Sequence, residues 1–320
     1  MELAFRTATL EDFAPFYDAC FSNDRDNAPL RGMVGHEWRV LLENPATLSF
    51  VVEDGTRPPE RRLIGCGQLA FVTDRFVQWA RSAPAPRVNV QATHPLPDGT
   101  WPLLTLPEVA RGNGGGGLNG LFTRWARANA LLRPEEQRLL GRFMHDAGLT
   151  LTRGYQFQEL LIEAIGEAAR DSALHAGFLE RCAMPEPPEC VPPAKRPFLM
   201  GLTREEAHRR EGSVMSHYFI YTPPRFGFTA RQQDMLRLSL LRPDFSDGAL
   251  AEALGVSIGA VKNWWRLVYE RVSQADSDLL PLGDADRARG PEKRRRLLQY
   301  LRDHPEELRP YKPRRKEGAR

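Results

Sequence analysis

The sequence predicts two parts of different class, an α+β N-terminal part and an all-α C-terminal part. Two apolar, β-branched runs, "ATLSFVVEDG" and "RRLIGCGQLAFV", read as strands paired across the turn "GTRPPER". In the last third, Val261, Trp264, Trp265, Val268 and Val272 recur at helical spacing as one apolar stripe. Between the two lies the proline-dense "MPEPPECVPPAKRP", which reads as a connector. A chain of 320 residues suits two domains, and 42% hydrophobic with 27% charged residues allows a buried core.

Composition narrows the function classes. Net charge is only +3, but the segment from Pro291 onward, "PEKRRRLLQYLRDHPEELRPYKPRRKEGAR", is strongly basic. Cys20, Cys66, Cys182 and Cys190 show no CxxC spacing, so neither a metal site nor a disulfide framework is expected. No leader and no apolar run of ~18 residues is present. A cytoplasmic chain with no membrane partner is expected.

From the start, Leu3 and Phe5 share one face of a strand. Thr9 is an N-cap before Leu10, Glu11 and Asp12, and Phe13, Phe16, Tyr17 and Cys20 give a helical apolar face. Residues 83–107 have no clear period. "RPEEQRLLGRFMHDAG" is a helix with Pro134 in its first turn and Gly148 past its end. "YQFQELLIEAIG" is strand or helix, and "EAARDSALHAGF" is a helix ending at Gly177. Thr229 caps "ARQQDMLRLSLL", which Pro243 stops. Ser246 or Asp247 caps "GALAEALG", Gly255 ends it, and Ser257 caps the last helix of the unit. "EKRRRLLQYLRDH" is amphipathic, with Leu297, Leu298 and Leu301 on one side and Arg294 to Arg296 on the other.

"LAFRTATLEDFAPFYDACF", with Arg6, Ala8, Thr9 and Asp12, resembles the opening strand and helix of the GNAT acyltransferase superfamily. The hairpin and the Gly177-Phe178 pair are similar to later elements of that family, and the resemblance spans residues 1–200. It implies a mixed sheet with helices. The family's phosphate-binding turn would be "RGNGGGGL", with Arg111, Gly112, Gly114 and Gly116 holding acetyl-CoA. "LPEVARGNGG" reads equally as a short helix ending in a glycine-rich loop. The family's general-acid tyrosine is replaced by Ala173, followed by Leu174 and His175, and Glu53, Glu159 and Glu163 form no convincing pair.

"FTARQQDMLRL" and "FSDGALAEALGVSIGAVKNWWRLVYERV" resemble the LuxR/FixJ-type helix-turn-helix, over residues 228–272. Gln232, Ala249, Ala260 and Trp264 depart from its pattern. The resemblance implies that Lys262, Asn263 and Arg266 face the DNA major groove, with Gly259 beside them. It sets Thr229, Arg231 and Ser257 near phosphates.

Together the two resemblances imply a bacterial-type transcription regulator rather than an enzyme. Residues 1–200 would sense or dimerise, 201–224 connect, 225–280 bind DNA, and 281–320 form a basic helix and tail. The implied partners are double-stranded DNA and a second copy of the chain, with a small-molecule or acyl-CoA effector, and no cofactor or metal is expected. The alternative is an active acyl-CoA-dependent N-acyltransferase joined to a DNA-binding domain, with acetyl-CoA as its cofactor.

Overall fold

The computed structural model describes residues 1–21, 28–82, 87–182, 196–280 and 290–312. The proline-dense connector up to residue 195, with Cys190, and the last basic residues from 313 lie outside the described residues. The chain forms two compact units: residues 1–152 with 156–220, and residues 153–155 with 221–313.

The first unit is built on a mixed sheet of seven strands among the described residues. They are β1 (Leu3–Thr7), β2 (Leu48–Asp54), β3 (Leu63–Val72), β4 (Leu118–Arg127), β5 (Phe157–Ile165), β6 (Leu179–Glu180) and β7 (Pro197–Thr203). Their order is β1-β2-β3-β4-β5-β7-β6. β4 and β5 run parallel, and all other neighbours are antiparallel. A parallel pair needs a crossover. Here it is α6 (Pro134–Thr152).

β3 is buried along its whole length, because both faces of the sheet are covered. On one face lie α1 (Phe13–Cys20), α2 (Ala28–Glu43), α3 (Asp74–Ser82) and the short α4 (Val88–Gln91). Phe16, Tyr17 and Trp38 pack there against Val51 and Cys66, and Phe76 and Val88 against Ala70, Leu121 and Leu161. On the other face Leu140 and Met144 of α6 meet Phe50, Val52 and Ile64. α5 (Leu106–Gly115), α7 (Glu167–Ala176) and α8 (Arg204–Arg209) complete the unit.

The opening residues Arg6, Thr9 and Asp12 form a clasp between strand and helix. Arg6 donates to both carboxylate oxygens of Asp12 at 2.8 and 2.7 Å, and the Thr9 N–H donates to Asp12 at 2.7 Å. Burial pushes the Asp12 carboxyl up, but these bonds outweigh it and hold the group below its usual value. α6 does not stop at Gly148. The glycine sits inside the helix because a Cβ there would lie 2.4 Å from the Tyr218 hydroxyl and 3.0 Å from the Trp125 ring.

The second unit is helical: α9 (Ala230–Leu241), α10 (Asp247–Leu254), α11 (Ile258–Ala275) and α12 (Gly290–Asp303). Thr229, Ser246 and Ser257 each cap a helix by accepting a backbone N–H three residues on. Gly255 ends α10 in the left-handed region, at φ +64°. Leu297, Leu298 and Leu301 of α12 share one core with Leu250, Val261, Trp265 and Val268. The expected separation of 281–320 from 225–280 therefore does not hold for α12, which is part of the same packed bundle.

Candidate active-site cleft

The parallel pair β4/β5 comes apart partway along. Five residue pairs face each other, from Leu118 with Phe157 to Phe122 with Ile162, with a register shift after the first. Beyond them β4 stays on β3 as far as Arg127, while β5 stays on β7 as far as Ile165. The ladder between the two ends, so their C-terminal halves open into a cleft. A β-bulge sits where this begins: Leu69 pairs with Phe122 and Gln68 with Arg124, which leaves Thr123 as the extra residue. A bulge bends its strand and raises its twist. In sheets with parallel strands, such a gap beyond the carboxyl ends is where ligands bind.

Buried polar groups surround this point on the α1–α4 face. Glu163 of β5 is 9% exposed. Its carboxylate accepts the Val88 N–H at 2.9 Å and the Asn89 N–H at 3.3 Å. Those N–H groups are aimed by Arg87, which adopts φ +76°, an uncommon conformation for a residue with a side chain. Burial pushes the Glu163 carboxyl up, and the nearby Glu37 adds to that. The backbone N–H groups pull it down without overcoming burial. A buried carboxyl with a raised pKa is suited to act as a general base near neutral pH.

The neighbouring acids differ. Glu159, four residues earlier on the same face, is paired with Arg81 at 2.6 Å and Arg181 at 3.5 Å. Glu37 of α2 is 2% exposed and pairs with Arg124 of β4. Glu53 pairs with Arg6 at 2.7 Å on the far side of β3. Glu163 was therefore visible in the sequence, but nothing local set it apart from Glu159.

The glycine-rich run is not the strand–turn–helix that a phosphate cradle requires. Arg111, Gly112 and Gly114 belong to α5, Gly116 is its C-cap, and β4 follows. Thr105 and Glu108 form a capping box that starts this helix, and Val109 and Asn113 bury its inner side. The N–H groups of Gly116 and Gly117 are turned back onto the Gly112 carbonyl, at 3.2 and 3.0 Å. A helix C-terminus carries the negative end of the dipole, the wrong polarity for a pyrophosphate. The segment that does join a parallel strand to a helix is 128–133, ahead of α6, and it has no glycine. His175 lies exposed at the end of α7 and bonds back to the Asp171 carbonyl at 2.7 Å, and Ala173 is buried.

In the second unit, Thr229 and Ser257 are helix caps, and Arg231, Gly259, Lys262, Asn263 and Arg266 are exposed. Arg266 bonds Glu270 at 2.5 Å and Asn263 at 2.9 Å, within its own helix. Trp265 is in the core, with the Arg294 guanidinium 4.7 Å above its ring. No group of three or more His, Cys, Asp or Glu that could hold a metal ion occurs among the described residues. None of their helices is long and apolar enough to cross a membrane.

The mixed seven-strand sheet is consistent with a GNAT-like fold. No family model matches the chain, and no curated protein does. Solved structures do. The C-terminal condensation domain of Ebony in complex with β-alanyl-dopamine is 18% identical, covering 63% of this chain and 99% of that one, with a TM-score of 0.38. FeeM, an N-acyl amino acid synthase from uncultured soil microbes, is 15% identical over 68% and 98% of the two chains, with a TM-score of 0.36. A spermidine N-acetyltransferase from Vibrio cholerae is 14% identical over 66% and 98%, with a TM-score of 0.34. At these scores the likeness carries no argument, and what the structure itself shows is a mixed seven-strand sheet among the described residues.

These comparisons correct the reading of the chain as a non-catalytic DNA-binding regulator. The matching structures carry acyltransferase, synthase or condensation names, and none of those described is a transcription regulator. Nothing in them supports a LuxR-type domain, a DNA partner or the homodimer inferred from paired half-sites. The caps and turn that suggested that motif are real. They are also what any three packed helices of this length need.

Proposed function

We propose that the first unit is an acyl-CoA-dependent N-acyltransferase. The observation that carries this reading is the opening of β4 and β5 at the Thr123 bulge, with the buried carboxyl of Glu163 at its edge. A pantetheine arm is an extended chain with two amide groups, and strands that lack their ladder offer it backbone partners. The residues fit such a donor at the arm. At the phosphates they fit through side chains only. The Arg133 N–H at the start of α6 is already capped by Glu136 at 2.9 Å. Exposed Arg138 and Arg142, which have no ion pair among the described residues, are the cations available on that helix.

The chemistry then follows from the placement. The acceptor amine attacks the thioester carbonyl, a C–N bond forms and the C–S bond breaks. Glu163 takes the proton that the amine gives up and returns it to solvent, from which the departing thiolate takes a proton to become the free thiol.

Titration of the protein with acetyl-CoA and longer acyl-CoAs, read as a rise in melting temperature, tests the reading directly. Free thiol release in the presence of an amine mixture is the second readout. No stabilisation and no thiol release at millimolar acyl-CoA would refute it.

A further inference from the structure

Four hydrogen-bonding atoms near the cleft have no partner. Both amide atoms of Gln68, the Thr123 hydroxyl and Nε of Arg124 are buried without a hydrogen bond among the described residues. Gln68 is 1% exposed and Thr123 is 2% exposed, so solvent does not satisfy them. Buried polar groups are nearly always paired, and a cluster of exceptions calls for an absent ligand or water. These are also neighbours. Gln68 and Arg124 are directly opposite on β3 and β4, and Thr123 is the bulged residue next to Arg124. All lie where β4 leaves β5.

The donors among them are an amide N–H₂, a hydroxyl and a guanidinium N–H. Together they suit a carboxylate. Across the gap, on β5, stands Glu163. Its carboxylate suits an ammonium group, while Glu37 is committed to the Arg124 guanidinium and leaves its Nε free. Adjacent strands are ~4.8 Å apart. From β3 and β4 to β5 the span is one to two spacings, ~5–10 Å, which side chains from both sides shorten to a small molecule. One positive end and one negative end a few bonds apart describe a zwitterion.

We infer that the acceptor is a small free amino acid, its carboxylate held by Gln68, Thr123 and Arg124 and its amino group presented to Glu163. The inference rests on the acyltransferase reading above. A simple amine or polyamine would leave the three donors unsatisfied, which a site built to hydrogen-bond its substrate discriminates against strongly.

The test is a panel of acceptors at a fixed acyl-CoA concentration: α- and β-amino acids, their carboxamides, and alkyl amines and polyamines of similar length. Amino acids should exceed their own carboxamides by at least ~100-fold in kcat/KM. Gln68→Met keeps the side-chain length but removes the amide, and should raise the amino-acid KM at least ~10-fold. Thr123→Val, nearly isosteric, is the second variant and should act in the same direction. A melting scan of each variant confirms that it is folded. Equal or better turnover of carboxamides or alkyl amines overturns the inference and leaves the acyltransferase reading standing. So does an unchanged amino-acid KM in both folded variants. Absence of acyl-CoA binding by the wild-type protein overturns both.

Discussion

Replacing Glu163 by Gln is the sharpest test of the cleft. The substitution keeps size and shape and removes the ionisable group. In the protein the carboxylate is held between opposing influences: burial pushes it up, and N–H groups of Val88 and Asn89, at 2.9 and 3.3 Å, pull it down. Burial wins, so the group is protonated at a pH where an exposed glutamate is not. As a base it works only when deprotonated. The rate should therefore fall on the acid side at a pH above the ordinary value of 4.5. A positioned general base contributes ~10²–10⁴ in rate. At about 1.4 kcal/mol per decade this is about 3–5 kcal/mol of barrier. In a thiol-release assay from pH 5 to 9, Glu163→Gln should lower kcat/KM by that factor and abolish the acid limb. The rise in melting temperature with acyl-CoA should be retained. The same raised pKa has a consequence for folding. Stability contributed by protonated Glu163 is complete below 4.5 and is lost as pH rises through the folded value, so the variant should lose this part of the pH dependence. A variant retaining more than a tenth of wild-type activity, with the acid limb in place, would remove Glu163 from the mechanism.

The remaining predictions address the fold around it. Gly115 has no neighbour within 4 Å of an added Cβ, so Gly115→Ala should leave acyl-CoA affinity within about twofold and gain ~0.4–1 kcal/mol in urea unfolding. A large loss of affinity would return the phosphate site to the glycine run. Gly67→Ala places a Cβ 2.2 Å from the ring of buried Phe50 and should cost ~1–3 kcal/mol, seen as a lower melting temperature. Asp54, 2% exposed, is pushed up by burial, but Thr56, the Glu2 N–H and Arg57 outweigh this and hold it at about 2. Its stabilisation is present above 3.8 and lost as pH falls toward 2. Asp54→Asn should remove about 2 kcal/mol at neutral pH and flatten the acid side of the stability profile. Leu298→Ala in α12 should cost ~2–5 kcal/mol of the second unit's stability, because that side chain is 6% exposed in its core. An unaffected transition would show α12 to be an appendage.

Features that depend on residues close in the chain were legible in the sequence. Thr229, Ser246 and Ser257 cap helices through N–H groups three residues on, and Gly255 alone can take the left-handed turn without strain. The β2–β3 hairpin and the Arg6–Thr9–Asp12 clasp are nearly as local. The function drawn from the helical part was wrong for the same reason that its structure was right: caps, a glycine and an apolar stripe specify packed helices, not what the outer face meets.

Tertiary structure decided the rest. "YQFQELLIEAIG" becomes a strand because β4 and β7 flank it, and Gly148 stays helical because Trp125 and Tyr218 press on it. The glycine run becomes the end of a helix because Thr105, ahead of it, nucleates one. Glu159 and Glu163 are four residues apart on one strand face, yet arginines from α3 and from just past β6 reach only the first. The cleft itself is a place where two strands stop pairing. Side-chain period and propensity encode which residues face a core, but a missing ladder depends on a bulge and on what each strand pairs with on its other edge. Those partners are tens of residues away, so the sequence alone determined the parts and their local geometry, and only the folded sheet decided where they open.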